Sequence, residues 1–336
     1  MKKNYTLKLL LKKVITELEK EKIPEAKIEG EHILEHLLQC KRTDLYFSLK
    51  QIIPQEKVSF FYQMVNQRKK RIPFAYILGE EEFMGLNFLI NQDVFIPRPE
   101  TEILVEETIK IVHSSKLKVS ARGGSLKPKR EIVILDLGTG SGNIAISLVK
   151  YLSGIKIVAT DISKRALEIA QKNAEMNDAK EKIIFLEGNL FEPLTINHPG
   201  LVPCPTDGRR ARSGVGLPLT AFDVIVSNPP YIADPDLSGL EPEIFYEPKI
   251  AFYGGKDGLE YYWEIIPQAK RFLHPQGYLL VEIGYGQKEK VEDIFLSCGY
   301  REIKVIKDYS NIDRVIVGKA ATSSVACRRG MELTYG

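Results

Sequence analysis

Phe222-Asp223-Val224-Ile225-Val226-Ser227-Asn228-Pro229-Pro230-Tyr231 is an apolar β-type run that stops at an amide, two prolines and an aromatic ring. Val224, Ile225 and Val226 read as a strand buried on both faces, as in a parallel sheet, and the double proline cannot continue its hydrogen-bond ladder. Asn228 is therefore expected at the strand's carboxyl end, the edge at which open α/β sheets bind ligands. The corner is rich in acceptors. The Asn228 side-chain oxygen and the Pro229 carbonyl can hold a planar NH2 group by its two hydrogens, and both Pro229 and Pro230 lack an N–H. Tyr231 adds a ring for stacking. The same residues would also make an ordinary Asn-Pro turn, so the neighbouring segments decide between the two readings.

Upstream, Ile132-Val133-Ile134-Leu135-Asp136-Leu137 is a second buried strand, and it leads directly into Gly138-Thr139-Gly140-Ser141-Gly142. Ile144, Ala145, Ile146, Leu148 and Val149 then begin a helix. Glycines in such a turn let the backbone approach a nucleotide-like ligand closely. Asn143 stands where a dinucleotide fingerprint has its third glycine, which argues against NAD or FAD. The next strand, residues 155–160, ends in Asp161, whose carboxylate can accept hydrogen bonds from both hydroxyls of a ribose. Ser163 is placed to cap the helix that carries Ala166, Leu167, Ile169, Ala170 and Ala174. A third strand, 182–186, runs into Glu187-Gly188-Asn189-Leu190. There Asn189 can reach an adenine edge and Leu190 can pack on its ring, although either fits an ordinary loop equally well.

Downstream of the acceptor corner, Glu247-Pro248 and Gly254-Gly255-Lys256-Asp257-Gly258-Leu259 precede a helix over 260–273. Residues 277–284 form another buried strand and 287–298 a helix, while 303–306 and 315–317 are two close strands able to pair as an antiparallel edge. Ahead of the sheet, Leu7, Leu10, Leu11, Val14, Ile15 and Leu18 recur at helical spacing. Ile33, Leu34, Leu37 and Leu38 mark a second helix and Val58, Phe61, Met64 and Val65 a third, so residues 1–75 read as a small helical bundle. His32 and His36 share a face of that second helix at metal-ligand spacing, but no third ligand accompanies them, and no metal site is expected. Residues 76–96, with Gly79, Gly85 and Asn87, read as a hairpin linker. In Ile96-Pro97-Arg98-Pro99-Glu100-Thr101-Glu102 the two prolines make the chain rigid, and Glu100 or Thr101 can start the next helix. The same run also suits a preorganised arm over the active site. Residues 114–130 and 197–220 lack periodicity and read as surface insertions into a domain of residues 97–319; residues 320–336 read as a disordered tail.

Composition bounds the function. At 336 residues, 44% hydrophobic and 27% charged, the chain suits a soluble protein of two domains. A net charge of +3 does not suggest a nucleic-acid footprint, and Arg68-Lys69-Lys70-Arg71 is expected to be a solvated face. Cys40, Cys204, Cys298 and Cys327 form no C-x-x-C pair, which fits a reducing cytosol, and no stretch is long enough to span a membrane.

Alternating strands and helices, the glycine loop, the acidic strand end and the closing hairpin resemble the class I S-adenosyl-L-methionine-dependent methyltransferases. Asn228-Pro229-Pro230-Tyr231, together with residues 96–102, Glu247-Pro248 and Glu282-Ile283-Gly284, resembles more narrowly the protein-(glutamine-N5) methyltransferases of peptide-chain release factors. The resemblance covers residues 75–318 outside the two insertions. It implies an α/β fold with a Rossmann-like, seven-stranded, mostly parallel sheet and a small N-terminal helical bundle that recognises the substrate. It also implies a cytoplasmic enzyme that methylates the glutamine of a Gly-Gly-Gln motif and leaves S-adenosyl-L-homocysteine. Gly138, Thr139, Gly140, Ser141, Gly142 and Asp161 would hold the methyl donor, with Asn189 and Leu190 at its adenine and Asn228 also beside it. Asn228, Pro229, Pro230 and Tyr231 would hold the glutamine, and Asn228, Pro229 and Tyr231 would serve catalysis. The family often has Asp where Asn189 stands. Two alternatives remain open at this point: an N-methyltransferase acting on an exocyclic amino group of adenine or cytosine in DNA or RNA, and a catalytically silent binding module of the same fold. No membrane contact and no direct nucleic-acid binding are expected.

Overall fold

The computed structural model describes residues 5–114, 131–195, 201–202, 217–218 and 222–321. Within these the chain divides into two units, one containing the N-terminal residues to Glu81 with Ile90–Gln92 and Leu240–Glu247, the other containing most of the remainder.

In the first unit the helix Leu7–Lys20 buries Leu7, Leu10, Leu11, Val14 and Leu18, and Thr6 caps it by accepting from the Leu9 amide at 3.3 Å. It packs closely on the helix Ala26–Leu38, where a Cβ on Gly30 would lie 2.8 Å from Val14 Cγ1. The helix Gln55–Lys69 adds Val58, Phe61 and Val65 to the same core. A short helix, Arg42–Phe47, and an antiparallel pairing of Tyr5 with Ile53 and Thr6 with Ile52 complete the unit; both are too short for periodicity to reveal. The expected solvated basic face is corrected at Arg68, which is 4% exposed. Its guanidinium bridges both carboxylate oxygens of Glu29, at 2.5 and 3.0 Å, and reaches Glu243 at 2.7 Å. Arg71 donates to Glu243 as well. The fork geometry of arginine suits such a double pairing, and a partner so far along the chain is invisible in a linear charge count. His32 stacks on Phe74 and faces Glu35.

The expected hairpin pairs Glu80–Phe83 with Leu86–Leu89. Met84 and Gly85 both take positive φ (53° and 67°), as a two-residue turn matched to strand twist requires.

The second unit is built on one sheet of seven strands: β1 (Ile132–Leu137), β2 (Ile155–Asp161), β3 (Ile183–Glu187), β4 (Phe222–Ser227), β5 (Leu273–Glu282), β6 (Arg301–Lys307) and β7 (Asp313–Lys319). Their spatial order is β6-β7-β5-β4-β1-β2-β3. The first five run parallel, while β7 lies antiparallel between β5 and β6. The two close strands thus do pair, but only β6 is an edge. The order reverses beside β1, so β1 and β4 open their carboxyl ends side by side at the switch point where a crevice forms. Asn143–Tyr151, Lys164–Met176, Glu260–Phe272, Lys288–Ser297 and Glu102–His113 are the longer helices of this unit. Buried residues such as Leu135, Ile225, Leu279 and Ile316 come from adjacent strands and meet Tyr262 and Phe295 from two of these helices.

Residues 115–130, most of 197–220 and 322–336 lie outside the described residues, so the expected insertions and tail are visible only at their margins. Leu201–Val202 pairs in parallel with Leu217–Pro218. Ala320, expected as the first tail residue, is buried and donates its amide to the Gly277 carbonyl at 2.8 Å, continuing β7.

Candidate active site

Strand β4 is buried at every position and ends at Ser227, whose hydroxyl donates to the Leu137 carbonyl at 2.9 Å and ties the ends of β4 and β1 together. Asn228 follows. Its side-chain nitrogen donates to Thr101 Oγ1 at 3.0 Å, which leaves the amide oxygen as an acceptor. Thr101 precedes the helix Glu102–His113 but does not cap it: its backbone is already helical (φ −69°, ψ −20°), and its hydroxyl serves Asn228 instead.

The other end of the motif is held just as tightly. The Tyr231 phenol donates to Glu282 Oε1 at 3.3 Å, and its carbonyl accepts from Gln287 Nε2 at 2.9 Å. Gln287 also donates to the Gly258 carbonyl and accepts from the Gly284 amide, so one side chain joins three loops. Residues 252–254 run alongside: the Ile232 amide donates to Phe252 at 2.8 Å and the Gly254 amide to Ile232 at 2.9 Å. A Cβ on Gly254 would sit 2.7 Å from the Pro230 oxygen and from Tyr231 Cα, a distance only glycine permits. Burial and the Glu282 carboxyl push the Tyr231 phenol well above its ordinary value, so it stays a donor.

The glycine loop forms the facing rim. Gly138, Gly140 and Gly142 all take positive φ, between 55° and 83°. Around Gly138 and Gly140 no atom would meet a Cβ within 4 Å, so the loop stands against open space. Asp161 accepts from the Gly140 amide and the Ser163 amide, both at 2.8 Å, one on each oxygen. An ionised carboxylate has about four acceptor sites, which leaves capacity for two ribose hydroxyls. Beneath the loop, Asp136 is fully buried and accepts from Thr139 Oγ1 at 2.7 Å. Burial raises its pKa to about 7 and raises that of Asp161 as well. Ser163 caps its helix as expected, accepting from the Ala166 amide. At the end of β3, Leu190 takes a positive φ of 45° and Asn189 accepts from the Glu192 amide at 2.9 Å.

These rims enclose a cavity of about 170 Å³. It brings together Asn228, Pro229, Pro230 and Tyr231 with Gly138, Thr139, Gly140, Ser141, Asp161, Asn189 and Leu190. Gly142 alone of the expected residues does not line it; it packs against Ile146 and Ala170 at the start of the helix. Sequence reading missed Ile162, half exposed beside Asp161, and Tyr261 and Phe95, which supply apolar wall. It also missed the supporting roles of Asp136, Thr101, Glu282 and Gln287. For Ile162 a signal existed, an apolar residue directly after the acidic strand end, and Asp136 has its partner three residues on; for Thr101, Glu282 and Gln287 the partner lies far along the chain.

Residues 10–79 match the model of the PrmC N-terminal domain, and residues 128–295 match that of a methyltransferase domain. The chain is 36% identical over 298 residues to the release factor glutamine methyltransferase of Geobacter sulfurreducens, covering 88% of this chain and 90% of that one. It is 33% identical over 314 residues to the release factor glutamine methyltransferase of Fusobacterium nucleatum, covering 93% and 78%. It is also 34% identical over 330 residues to a bifunctional methyltransferase of Rickettsia felis, of which it spans 58%. The methyl donor of such a domain is S-adenosyl-L-methionine, and the rim of this cavity fits it: open space at two glycines, a carboxylate with spare acceptor sites, and apolar walls at Ile162 and Leu190. With an N-terminal and a catalytic region both matched, and near-full-length identity above 30%, the chain belongs to the release factor glutamine methyltransferase family.

Proposed function

We propose that this enzyme, acting in the cytosol, methylates the side-chain amide nitrogen of a glutamine in a peptide-chain release factor. The observation that carries the reading is the Asn228 amide, gripped by its nitrogen at Thr101 so that its oxygen is left to accept, on the same cavity as the glycine loop and Asp161.

An amide nitrogen is a weak nucleophile, because its lone pair is delocalised into the carbonyl. Rate must come from placement and from electrostatic support for charge that develops on nitrogen. Asn228 Oδ1 and the Pro229 carbonyl accept the two hydrogens of the glutamine NH2 and turn its nitrogen toward the methyl donor. Their dipoles then stabilise the positive charge that grows on that nitrogen. No strong base is needed, since the methylated nitrogen is acidic enough to give its proton to water. S-adenosyl-L-methionine, when bound, supplies a methyl group on a sulfonium and leaves as S-adenosyl-L-homocysteine. Gly138, Thr139, Gly140 and Ser141 give it a close backbone surface, Asp161 takes its ribose hydroxyls, and Asn189 and Leu190 border its adenine. Tyr231 walls the acceptor side.

A single glutamine offers little surface, so affinity for a whole protein substrate must come from contacts remote from the reacting atom. The helical N-terminal unit, which carries none of the cavity residues, is assigned that recognition role. The test incubates the full chain with labelled S-adenosyl-L-methionine and, in separate reactions, a release factor, duplex DNA and transfer RNA. Label is expected on one glutamine of the release factor, located by peptide mapping. Label in nucleic acid with none in the release factor would replace this reading with the exocyclic-amine alternative.

A further inference from the structure

We propose that Thr101 and Glu282 are positioning residues that decide which way round the Asn228 amide is held. They do so through a one-way chain of hydrogen bonds from Asn228 Nδ2 to Thr101 Oγ1 and from the Thr101 hydroxyl to the Glu282 carboxylate. This rests on Asn228 being the acceptor for the substrate amide.

The two ends of an asparagine amide have nearly the same shape and opposite hydrogen-bonding character. Turned the wrong way, Asn228 would present an NH2 to the NH2 of the glutamine, donor against donor. Thr101 alone cannot prevent this, because a hydroxyl both donates and accepts. An ionised carboxylate only accepts. Glu282 is 1% exposed, its Oε2 is buried with no hydrogen-bond partner among the described residues, and the Thr101 hydroxyl favours its ionised form; the carboxylate is thus placed to take the threonine hydrogen and leave the threonine oxygen to accept from Asn228 Nδ2 at 3.0 Å. The same carboxyl takes the Tyr231 phenol hydrogen at 3.3 Å. Both ends of the acceptor motif are thereby referred to a single buried group, and Thr101 is itself 1% exposed and makes no helix cap.

The groups facing Glu282 come from every element around it. They are the Tyr231 phenol from the acceptor loop, and Tyr262, which donates to the Glu282 main-chain carbonyl at 2.9 Å. The Arg314 cation on β7 and the Glu100 carboxylate ahead of the helix also act on it. Burial raises the Glu282 pKa to about 7, while Thr101, Tyr231 and Arg314 favour the ionised form and Glu100 opposes it. Both phenols are pushed up and remain neutral donors. Below about pH 7 the carboxyl therefore holds a proton of its own and can donate to Thr101, and the chain loses its direction.

The experiment measures methylation of a release factor by the full chain and by E282Q, T101V, T101S and N228A, with donor affinity by calorimetry. Profiles run from about pH 5.5 to 9. For the wild type, kcat is expected to fall about tenfold per unit below a bend near pH 7. E282Q and T101V should each lower kcat by about 10- to 100-fold with donor Kd within about threefold, and E282Q should lose the bend. T101S, which restores the hydroxyl, should recover most of the lost rate. E282Q with wild-type kcat and an unchanged bend would overturn the inference, as would T101S no better than T101V. The N228A arm separates the two levels. Retained turnover there removes the reading of Asn228 itself, whereas a dead N228A beside unaffected E282Q and T101V removes only the role given to Thr101 and Glu282.

Discussion

On the glycine rim of the cavity, each carboxylate lies within 21 residues of what it holds: Asp161 accepts from the Gly140 amide, 21 residues back, and from the Ser163 amide two residues on, and Asp136 accepts from the Thr139 hydroxyl three residues on. On the acceptor rim a side-chain amide and a carbonyl are held by groups brought from far away. Thr101 lies 127 residues from Asn228, Glu282 lies 51 from Tyr231, and Gln287 lies 56 from Tyr231. The first arrangement sets a backbone shape, for which any small group that tolerates the dihedral angles suffices. The second sets the direction of individual donors and acceptors, for which chemical identity at each link matters. Changes on the glycine rim should therefore appear first in donor affinity, and changes on the acceptor rim in turnover.

The sharpest separation comes from Asn228→Ala. It is expected to cut kcat by about 100- to 1000-fold, the usual consequence of losing one oriented polar partner, and to leave donor affinity nearly unchanged. Single-turnover methylation beside calorimetry measures both, and turnover close to wild type would dissolve the distinction between the rims. The mirror experiment is Asp161→Ala, which also leaves the Gly140 and Ser163 amides without their acceptor. A loss of about 1–3 kcal/mol in donor binding is expected, with kcat recovered at saturating donor. Unchanged affinity would remove Asp161 from the donor side.

Gly254→Ala acts on the acceptor rim through shape alone. The added methyl would press on the backbone of Pro230 and Tyr231 at 2.7 Å, so the loop must move. A drop in kcat of about tenfold or more without weaker donor binding is expected, because small displacements of a reacting partner are costly. If donor affinity fell instead, the two rims would not be independently held.

Asp136→Asn is read in neither binding nor turnover but in stability against pH. Folding raises this carboxyl from 3.8 to about 7. Well below pH 3.8 it is protonated in both states and costs nothing. As pH rises through the interval up to about 7 the unfolded chain releases the proton while the folded chain keeps it, so the wild type loses stability there and then levels off. Asparagine cannot ionise and still accepts from Thr139. The variant should gain up to about 4 kcal/mol relative to wild type between those limits, at about 1.4 kcal/mol for each pKa unit, seen as a diverging urea midpoint. Parallel curves would mean that Asp136 is ionised throughout.

Much of the glycine rim was legible from residues alone. Strand β1 began and ended where its apolar run did, and β2 stopped at Asp161 as its acidic terminus suggested. Glycine and proline restrict the dihedral angles of their own residues, and an apolar repeat reports burial within a few residues, so such features survive without knowledge of the rest of the chain. Asn228 was legible for the same reason, standing between a buried run and two prolines. What held it was not. Thr101 looked like the start of a helix, Glu282 like the end of a strand, and Arg68 like part of a solvated basic run, yet each is buried against a partner tens of residues or more away.

The amino-acid sequence by itself determined the elements, the strand ends at which the glycine loop, Asp161 and Asn228 stand, and the types of group available there, because those depend on local dihedral freedom and on the periodicity of burial. Tertiary structure alone decided the strand order that sets β1 beside β4, and with it which hydroxyl meets the Asn228 nitrogen and which carboxylate orients that hydroxyl. The physical reason is the range of the forces: a hydrogen bond has a direction only once both partners are in place, and packing of the sheet and helices puts them there.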